Sequence, residues 1–214
     1  RALASKSSPT DLVSEADLAA ERTIRAVLAE RRPDDGVLGE EGTGDVAGSS
    51  GVRWVVDPLD GTINYLYGHP QWCVSVAAED DDGALAGVVY DPLRDECFAA
   101  ARGAGATRNG APLAVADSAP PLERALVATG FGYEAAIREA QAAVAAALLP
   151  AVRDIRRAGS AALDLAWTAA GRQDAYFEFG VQHWDVAAGA LVCREAGLEV
   201  RTLPRAGRLP AGIA

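Results

Sequence analysis

One segment, Trp54–Thr62 with the sequence WVVDPLDGT, constrains the fold more than any other part of the chain. Its apolar start is typical of a short buried strand, and Pro58, which lacks a backbone N–H, predicts that the strand stops there and the chain turns. Asp57 and Asp60 then lie beside each other across the turn, where two carboxylates can share one cation or hold two. Gly61 lets a ligand approach the backbone closely. The alternative is a surface turn with solvated aspartates, since Asp-Pro and Asp-Gly are turn formers.

The rest of the chain alternates between helical and strand patterns. Ser14 as N-cap, with Asp17 three residues on, predicts a helix from about Ser14 to Arg32. The other predicted helices are Tyr133–Leu149, Ser160–Ala170 and Asp185–Ala196, and the other predicted strands are Cys73–Ala78, Ala84–Tyr90, Glu96–Ala101, Leu126–Thr129 and Ala175–Phe179. The glycine-rich stretch Gly42–Gly51 is predicted to be a mobile loop. This order indicates an α/β or α+β fold built in layers, with mixed sheets.

Length and composition limit the number of domains and the kinds of partner that the chain can have. The chain has 214 residues, half of them apolar, which is enough for one substantial core and predicts a single domain, with an N-terminal part of about 1–120 and a C-terminal part of about 121–214. The 30 acidic and 20 basic residues give a net charge of −10, so nucleic acid is an unlikely partner. No apolar run approaches the ~20 residues of a membrane helix. Three scattered cysteines favour free thiols in a reducing cytoplasm.

Several other residues suggest a site but also have ordinary structural explanations. Glu40 and its neighbour Glu41 precede the glycine-rich loop, and adjacent glutamates are usually solvated. Asp185 opens an apolar helix, where aspartate is a favoured N-cap. Ser160 begins another helix, whose exposed N–H groups could bind an anion, although a simple serine N-cap is the plainer explanation. Glu178 stands among aromatic residues in a strand and is harder to explain without a function, although the alternation of the strand could also turn it to solvent.

Together these segments resemble the inositol monophosphatase family. The resemblance covers nearly the whole chain, and its motifs keep the family's order and approximate spacing. The matching segments are KSSPTDLV at 6–13 with Asp17, GEE at 39–41, WVVDPLDGT at 54–62, GSAA at 159–162 and AYFEFGVQHWD at 175–185. The resemblance implies a layered α-β-α-β-α sandwich, usually homodimeric, with further segments before residue 1 and after residue 214.

The resemblance also implies a role for each matching position. Glu40, Asp57 and the Leu59 carbonyl would bind a first Mg²⁺, and Asp57, Asp60 and Asp185 would bind a second. A third, more weakly bound ion would also be coordinated at Glu40. Thr62, paired with Asp17 and assisted by Glu40, would orient or activate the attacking water. The substrate would be bound by Gly61, Thr62, Gly159, Ser160, Ala161, Glu178 and Asp185, with Lys6 at the edge of the site.

The reaction implied by the resemblance is Mg²⁺-dependent, lithium-sensitive hydrolysis of inositol 1-phosphate or a related small polyol or sugar phosphate. Carboxylates alone would repel a phosphate, whereas bound Mg²⁺ makes the same pocket cationic. Histidinol phosphate, fructose 1,6-bisphosphate and a nucleotide phosphate remain alternative substrates. A non-catalytic regulatory protein that keeps the fold is the alternative from a different class.

Overall fold

The structure is a computed structural model that describes residues 2–5, 12–42, 45–115 and 119–214. Lys6, predicted at the edge of the site, therefore lies outside the described residues. So do positions 43 and 44 of the predicted loop Gly42–Gly51.

Five helices and fourteen strands are found in the described residues. The helices are α1 (Glu15–Arg31), α2 (Thr62–Tyr67), α3 (Ala135–Leu148), α4 (Ala161–Ala169) and α5 (His183–Glu195). The strands of the first half are β1 (Ala2–Ser5), β2 (Leu12–Ser14), β3 (Gly36–Gly39), β4 (Arg53–Asp60), β5 (Cys73–Asp80), β6 (Gly83–Asp91), β7 (Glu96–Ala101), β8 (Gly105–Arg108) and β9 (Ala111–Pro112). Those of the second half are β10 (Leu126–Thr129), β11 (Asp154–Arg156), β12 (Ala175–Phe179), β13 (Thr202–Leu203) and β14 (Gly212–Ile213).

The strands form a large and a small mixed sheet, besides the β1–β2 pair. The large sheet has seven strands in the order β3-β4-β5-β6-β7-β8-β9, and the small sheet has five in the order β11-β10-β12-β14-β13. β3 pairs with β4 in parallel, while β4 to β9 form antiparallel neighbours. In the small sheet, β10 lies parallel to both β11 and β12.

The alternation of side chains along the strands places the helices in layers. Val56 of β4 packs with Leu28 of α1 on one face of the large sheet, whereas its neighbour Val55 belongs to the main core on the other face. That main core holds α4 and α5 between the two sheets. Val127 of β10 packs with Leu148 of α3 on the far face of the small sheet. The predicted α-β-α-β-α layering is therefore confirmed.

Two predicted boundaries are wrong, and both lie at the site. β4 does not stop at Pro58 but continues to Asp60, because its pairing with β5 shifts register between Asp57 and Asp60. Such a bulge accommodates a proline that cannot donate to the ladder. α5 begins at His183, so Asp185 is its third residue and not its N-cap, and the Asp185 carboxylate accepts the Gln182 backbone N–H at 2.6 Å.

No helix among the described residues is both long enough and apolar enough to cross a membrane.

Candidate active site

The site is built at the end of β4, where the bulge holds two aspartates. Asp57 is buried, and its Oδ1 accepts the backbone N–H of Leu59 at 3.0 Å. Asp60 is also buried. Gly61 follows with φ of +97°, and a Cβ there would lie 2.9 Å from the Gln71 carbonyl oxygen. Glycine is therefore required where the chain leaves the strand and enters α2.

The carboxylate of Asp60 binds to the start of α4, one hundred residues further along the chain. Its Oδ2 accepts the Ser160 hydroxyl at 2.6 Å and the Ala162 backbone N–H at 2.7 Å, and the Cys73 thiol lies 3.8 Å away. The N-terminus of α4 is thus an anion site, as the sequence suggested, but the anion is the protein's own Asp60. Ser160 is 2% exposed, so its hydroxyl faces Asp60 and not the pocket, although substrate binding was predicted for it.

Thr62, the first residue of α2, is fixed by a residue of α1. Its hydroxyl donates to Asp17 Oδ1 at 2.7 Å and lies 3.2 Å from the Leu59 carbonyl oxygen. The other oxygen of Asp17 accepts the Ser14 backbone N–H at 2.8 Å within the capping box of α1. The predicted pairing of Thr62 with Asp17 is therefore present, and the same carboxylate serves the helix cap and the site.

Glu40 and Asp185 bring two more carboxylates to Asp57 and Asp60. Burial raises the pKa of Asp57 well above its usual range, and the charges of Glu40, Asp60 and Asp185 raise it further. Burial also raises the pKa of Asp60 to about 6, despite the hydrogen bonds from Ser160 and Ala162 that lower it. The pKa of Asp185 is raised by burial and then by Asp60. Four acidic groups from distant segments thus repel one another in one place.

The donor set fits Mg²⁺, because every predicted ligand is a carboxylate or carbonyl oxygen. Within the described ranges, however, no three His, Cys, Asp or Glu side chains are arranged so that they could hold a metal ion. Asp57, Asp60 and Asp185 each have one oxygen bound to a backbone N–H. A cation would have to bring the other oxygens of these carboxylates closer together.

The four carboxylates line a cavity of about 500 Å³, a volume in the range of small-molecule sites. Ten of the predicted metal and substrate residues line it, and eight of them are Glu40, Asp57, Leu59, Asp60, Gly61, Thr62, Glu178 and Asp185. Gly159 and Ala161, also predicted, line it as well. Asp17 and Ser160 do not, and each instead supports a side chain that does, namely Thr62 and Asp60.

The side chain of Glu178, on β12, lines the cavity and lies against Gly130. Its Oε2 accepts the Tyr176 hydroxyl at 2.9 Å, and burial raises the pKa of Glu178 to about 7. A Cβ on Gly130 would lie only 1.9 Å from Oε2, so a glycine at the end of β10 makes the space for this carboxylate. Gly130 was not predicted as a functional position, because its importance depends on Glu178 of β12, a strand that pairs with β10 but lies far from it in the chain.

Sequence reasoning also missed the wall of the cavity and one of its supports. The additional lining residues include Phe131, Tyr133, Ile137, Arg157 and Pro210. Asn64 Nδ2 donates to the carbonyl oxygens of Gln71 at 2.6 Å and Ala158 at 2.9 Å, which ties α2 to the loop before α4. The only sequence signal for these residues was their proximity to recognised motifs, Asn64 to DGT and Arg157 to GSAA.

Comparisons with known proteins place the chain in a family. Residues 1–211 match the inositol monophosphatase family. The chain is 48% identical to inositol-1-monophosphatase SuhB of Mycobacterium tuberculosis over 214 residues, which cover 96% of this chain and 74% of the relative. It is 48% identical to the Nus factor SuhB of Xylella fastidiosa over 188 residues, covering 87% and 67%. The crystal structure of extragenic suppressor protein suhB from Bartonella henselae superimposes with a TM-score of 0.87 at 42% identity, covering 92% and 77%.

The fold is the layered α/β fold of the inositol monophosphatases. The chain belongs to the inositol monophosphatase family.

Proposed function

We propose that this chain is a Mg²⁺-dependent phosphomonoesterase that hydrolyses inositol 1-phosphate or a related small polyol or sugar phosphate. The observation that carries the proposal is the convergence of Glu40, Asp57, Asp60 and Asp185 on one cavity. Burial raises the pKa of Asp57 and the charges of the other three raise it further, and a divalent cation would relieve their mutual repulsion. An acidic pocket of this kind attracts phosphate only when it is loaded with cations.

The proposed ligands follow from the positions of the oxygens. Glu40, Asp57 and the Leu59 carbonyl would hold one ion, and Asp57, Asp60 and Asp185 a second, with Glu40 available to a third. Bound Mg²⁺ would supply an activated water and stabilise the leaving oxygen.

The chain's own groups would orient the water and the phosphate. Thr62 Oγ1 donates its hydrogen to Asp17, so its lone pairs are left to accept a hydrogen from the attacking water, and Glu40 would assist. The backbone N–H groups of Gly61 and Thr62 would bind the phosphate. Glu178, which lines the cavity, would accept a substrate hydroxyl.

Phosphate release tests the proposal. The substrates would be inositol 1-phosphate, histidinol phosphate and fructose 1,6-bisphosphate, each across a Mg²⁺ titration and in EDTA. We expect hydrolysis of at least one, none in EDTA, and a loss of roughly a hundredfold or more in Asp60→Asn, which removes a charge from the proposed ion site. Hydrolysis that survives EDTA would contradict the metal requirement.

The second candidate is a regulatory role without useful turnover, which is favoured by the Nus factor name of the Xylella relative. The net charge of −10 disfavours direct RNA binding and favours a protein partner. This candidate would replace the first if the protein released no phosphate from any of these esters and retained a binding partner after Asp60→Asn.

A further inference from the structure

Glu79, near the end of β5, connects two elements that also carry the proposed metal ligands. Its carboxylate is buried. Oε1 accepts Arg53 Nε at 2.9 Å, and Oε2 lies at hydrogen-bond distance, 2.6 Å, from His183 Nε2. Arg53 is the first residue of β4, and His183 is the first residue of α5. One buried carboxylate therefore joins the starts of these two elements.

The first turn of α5 has little packing of its own to hold it. It follows a connection of three residues after β12, and the first of these, Gly180, has φ of +89°. Gln182 and His183 are exposed, whereas the later residues Ala187–Cys193 are buried. The position of the first turn therefore depends on side-chain contacts more than that of the turns behind it does.

Side chains of β5 supply those contacts. Besides the contact of Glu79 with His183, Ser75 Oγ donates to the Trp184 carbonyl oxygen at 3.4 Å. Asp185 follows directly, and its carboxylate accepts the Gln182 backbone N–H at 2.6 Å. Because Asp185 is bound to the first turn of its own helix, a shift of that turn would carry the carboxylate with it.

We infer that Glu79 is a positioning residue for the proposed metal centre. Its contact with His183 fixes the first turn of α5 relative to β4, and so sets the separation of Asp185 from Asp57 and Asp60. Glu79 is itself held by β4, because Arg53 lies directly opposite it in the pairing of β4 with β5. The inference rests on the proposed function, since Mg²⁺ requires nearly ideal octahedral geometry and tolerates little displacement of a ligand.

The test measures Mg²⁺ affinity by isothermal titration calorimetry in Glu79→Ala, His183→Ala and the double variant. We expect each single variant to bind Mg²⁺ about fivefold more weakly, and the double variant to lose no more than either single variant, because both changes break the same contact. A simple loss of negative charge cannot give this pattern, since His183→Ala retains the Glu79 carboxylate. His183 is half exposed, so its variant decides the matter if Glu79→Ala does not fold.

Glu96→Ala is the matched control for a purely structural ion pair. Glu96 of β7 accepts Arg172 Nη1 at 2.7 Å, which joins the large sheet to the turn after α4. The control should lower the free energy of unfolding, as Glu79→Ala does. It should leave Mg²⁺ affinity unchanged, because none of the proposed ligands lies on β7 or in that turn.

Three calorimetric results would overturn the inference: unchanged Mg²⁺ affinity in the single variants, losses that add in the double variant, or an equal loss in Glu96→Ala. If the wild type binds no Mg²⁺, the proposed function fails separately. Hydrogen exchange of the backbone amides of residues 185–187 in the metal-free protein then decides the inference. We expect faster exchange there in Glu79→Ala than in the wild type, and equal exchange would overturn it.

Discussion

Ser160 shows at the scale of one residue how a side chain outside the cavity can control the site. Its hydroxyl and the Ala162 N–H hold Oδ2 of Asp60, so we expect the other oxygen of Asp60 to be the one that binds a cation. We expect Ser160→Ala to weaken Mg²⁺ binding by about tenfold or more, as the loss of a supporting hydrogen bond does at other metal sites. Isothermal titration calorimetry with Mg²⁺ measures this directly. In an Asp60→Asn background the same change should have little effect, and equal losses in both backgrounds would show that Ser160 acts elsewhere.

Gly130 is a second residue whose substitution should have a specific effect, in this case on substrate binding. The Cβ of Gly130→Ala would collide with the carboxylate of Glu178, so Glu178 must move. We expect KM for the substrate to rise by roughly tenfold, the value of one lost hydrogen bond to a charged group. Gly132→Ala is the control at another lining position of the same cavity, because its Cβ would lie 3.4 Å from Ile137, an ordinary contact that leaves Glu178 in place. Similar kinetics for the two variants would count against a role for Glu178 in substrate binding.

The connection between α1 and β3 depends on one buried carboxylate. Asp35 accepts Arg32 Nε at 2.8 Å, the Ser50 hydroxyl at 2.6 Å and the Trp54 indole N–H at 2.8 Å. The Arg32 hydrogen bond lowers the pKa of Asp35 from 3.8 to about 2. Because the folded state holds the carboxylate ionised more strongly, its stabilisation is complete above about pH 4 and is lost as the pH falls through 2.

The prediction for this connection is a pH-dependent difference in the free energy of unfolding. Asp35→Asn should destabilise the protein by about 2 kcal/mol at pH 7, since the hydrogen bonds to a charged group are weakened. The difference from wild type should shrink as the pH falls from 4 towards 2, in urea unfolding at each pH. A difference that stays constant from pH 7 to pH 2 would contradict the proposed effect of ionisation.

At the scale of secondary-structure elements, the sequence predicts those helix and strand boundaries that depend on neighbouring residues. The start of α1 follows from Ser14 and Asp17, which form a capping box, and the strands of the large sheet follow from alternating apolar residues. The end of β4 could not be predicted from Pro58, because the bulge depends on pairing with β5. The start of α5 was misplaced because an aspartate at the third helical position and one at the N-cap leave similar signals.

The candidate site shows the same difference between features that neighbouring residues determine and features that depend on distant contacts. The DPLDGT motif predicts Asp57, Asp60 and Thr62, because the chain itself brings them together. The partners of Asp60 at the start of α4 lie one hundred residues away, and no local pattern links them. Gly130 and Arg157 were missed for the same reason, since their contacts with Glu178 and Phe131 join segments that are far apart in the chain.

At the scale of the whole molecule, contacts across the site join the two halves of the chain. Asp60 binds Ser160 and Asn64 binds the Ala158 carbonyl, and the main core includes both sheets. We therefore propose that the chain is one folding unit. Tryptophan fluorescence and far-UV circular dichroism should give one coincident unfolding transition. Two separate transitions would show that the halves unfold independently.

The most direct test of the central claim is the position of a divalent cation. Crystals of the protein soaked in Mn²⁺, an oxygen-preferring ion that can replace Mg²⁺, would be measured at the manganese absorption edge. We predict anomalous peaks within ligand distance of Asp57, Asp60 and Asp185, at about 2.0–2.3 Å from their oxygens. Manganese bound only outside this cavity would contradict the claim that these carboxylates form the metal centre.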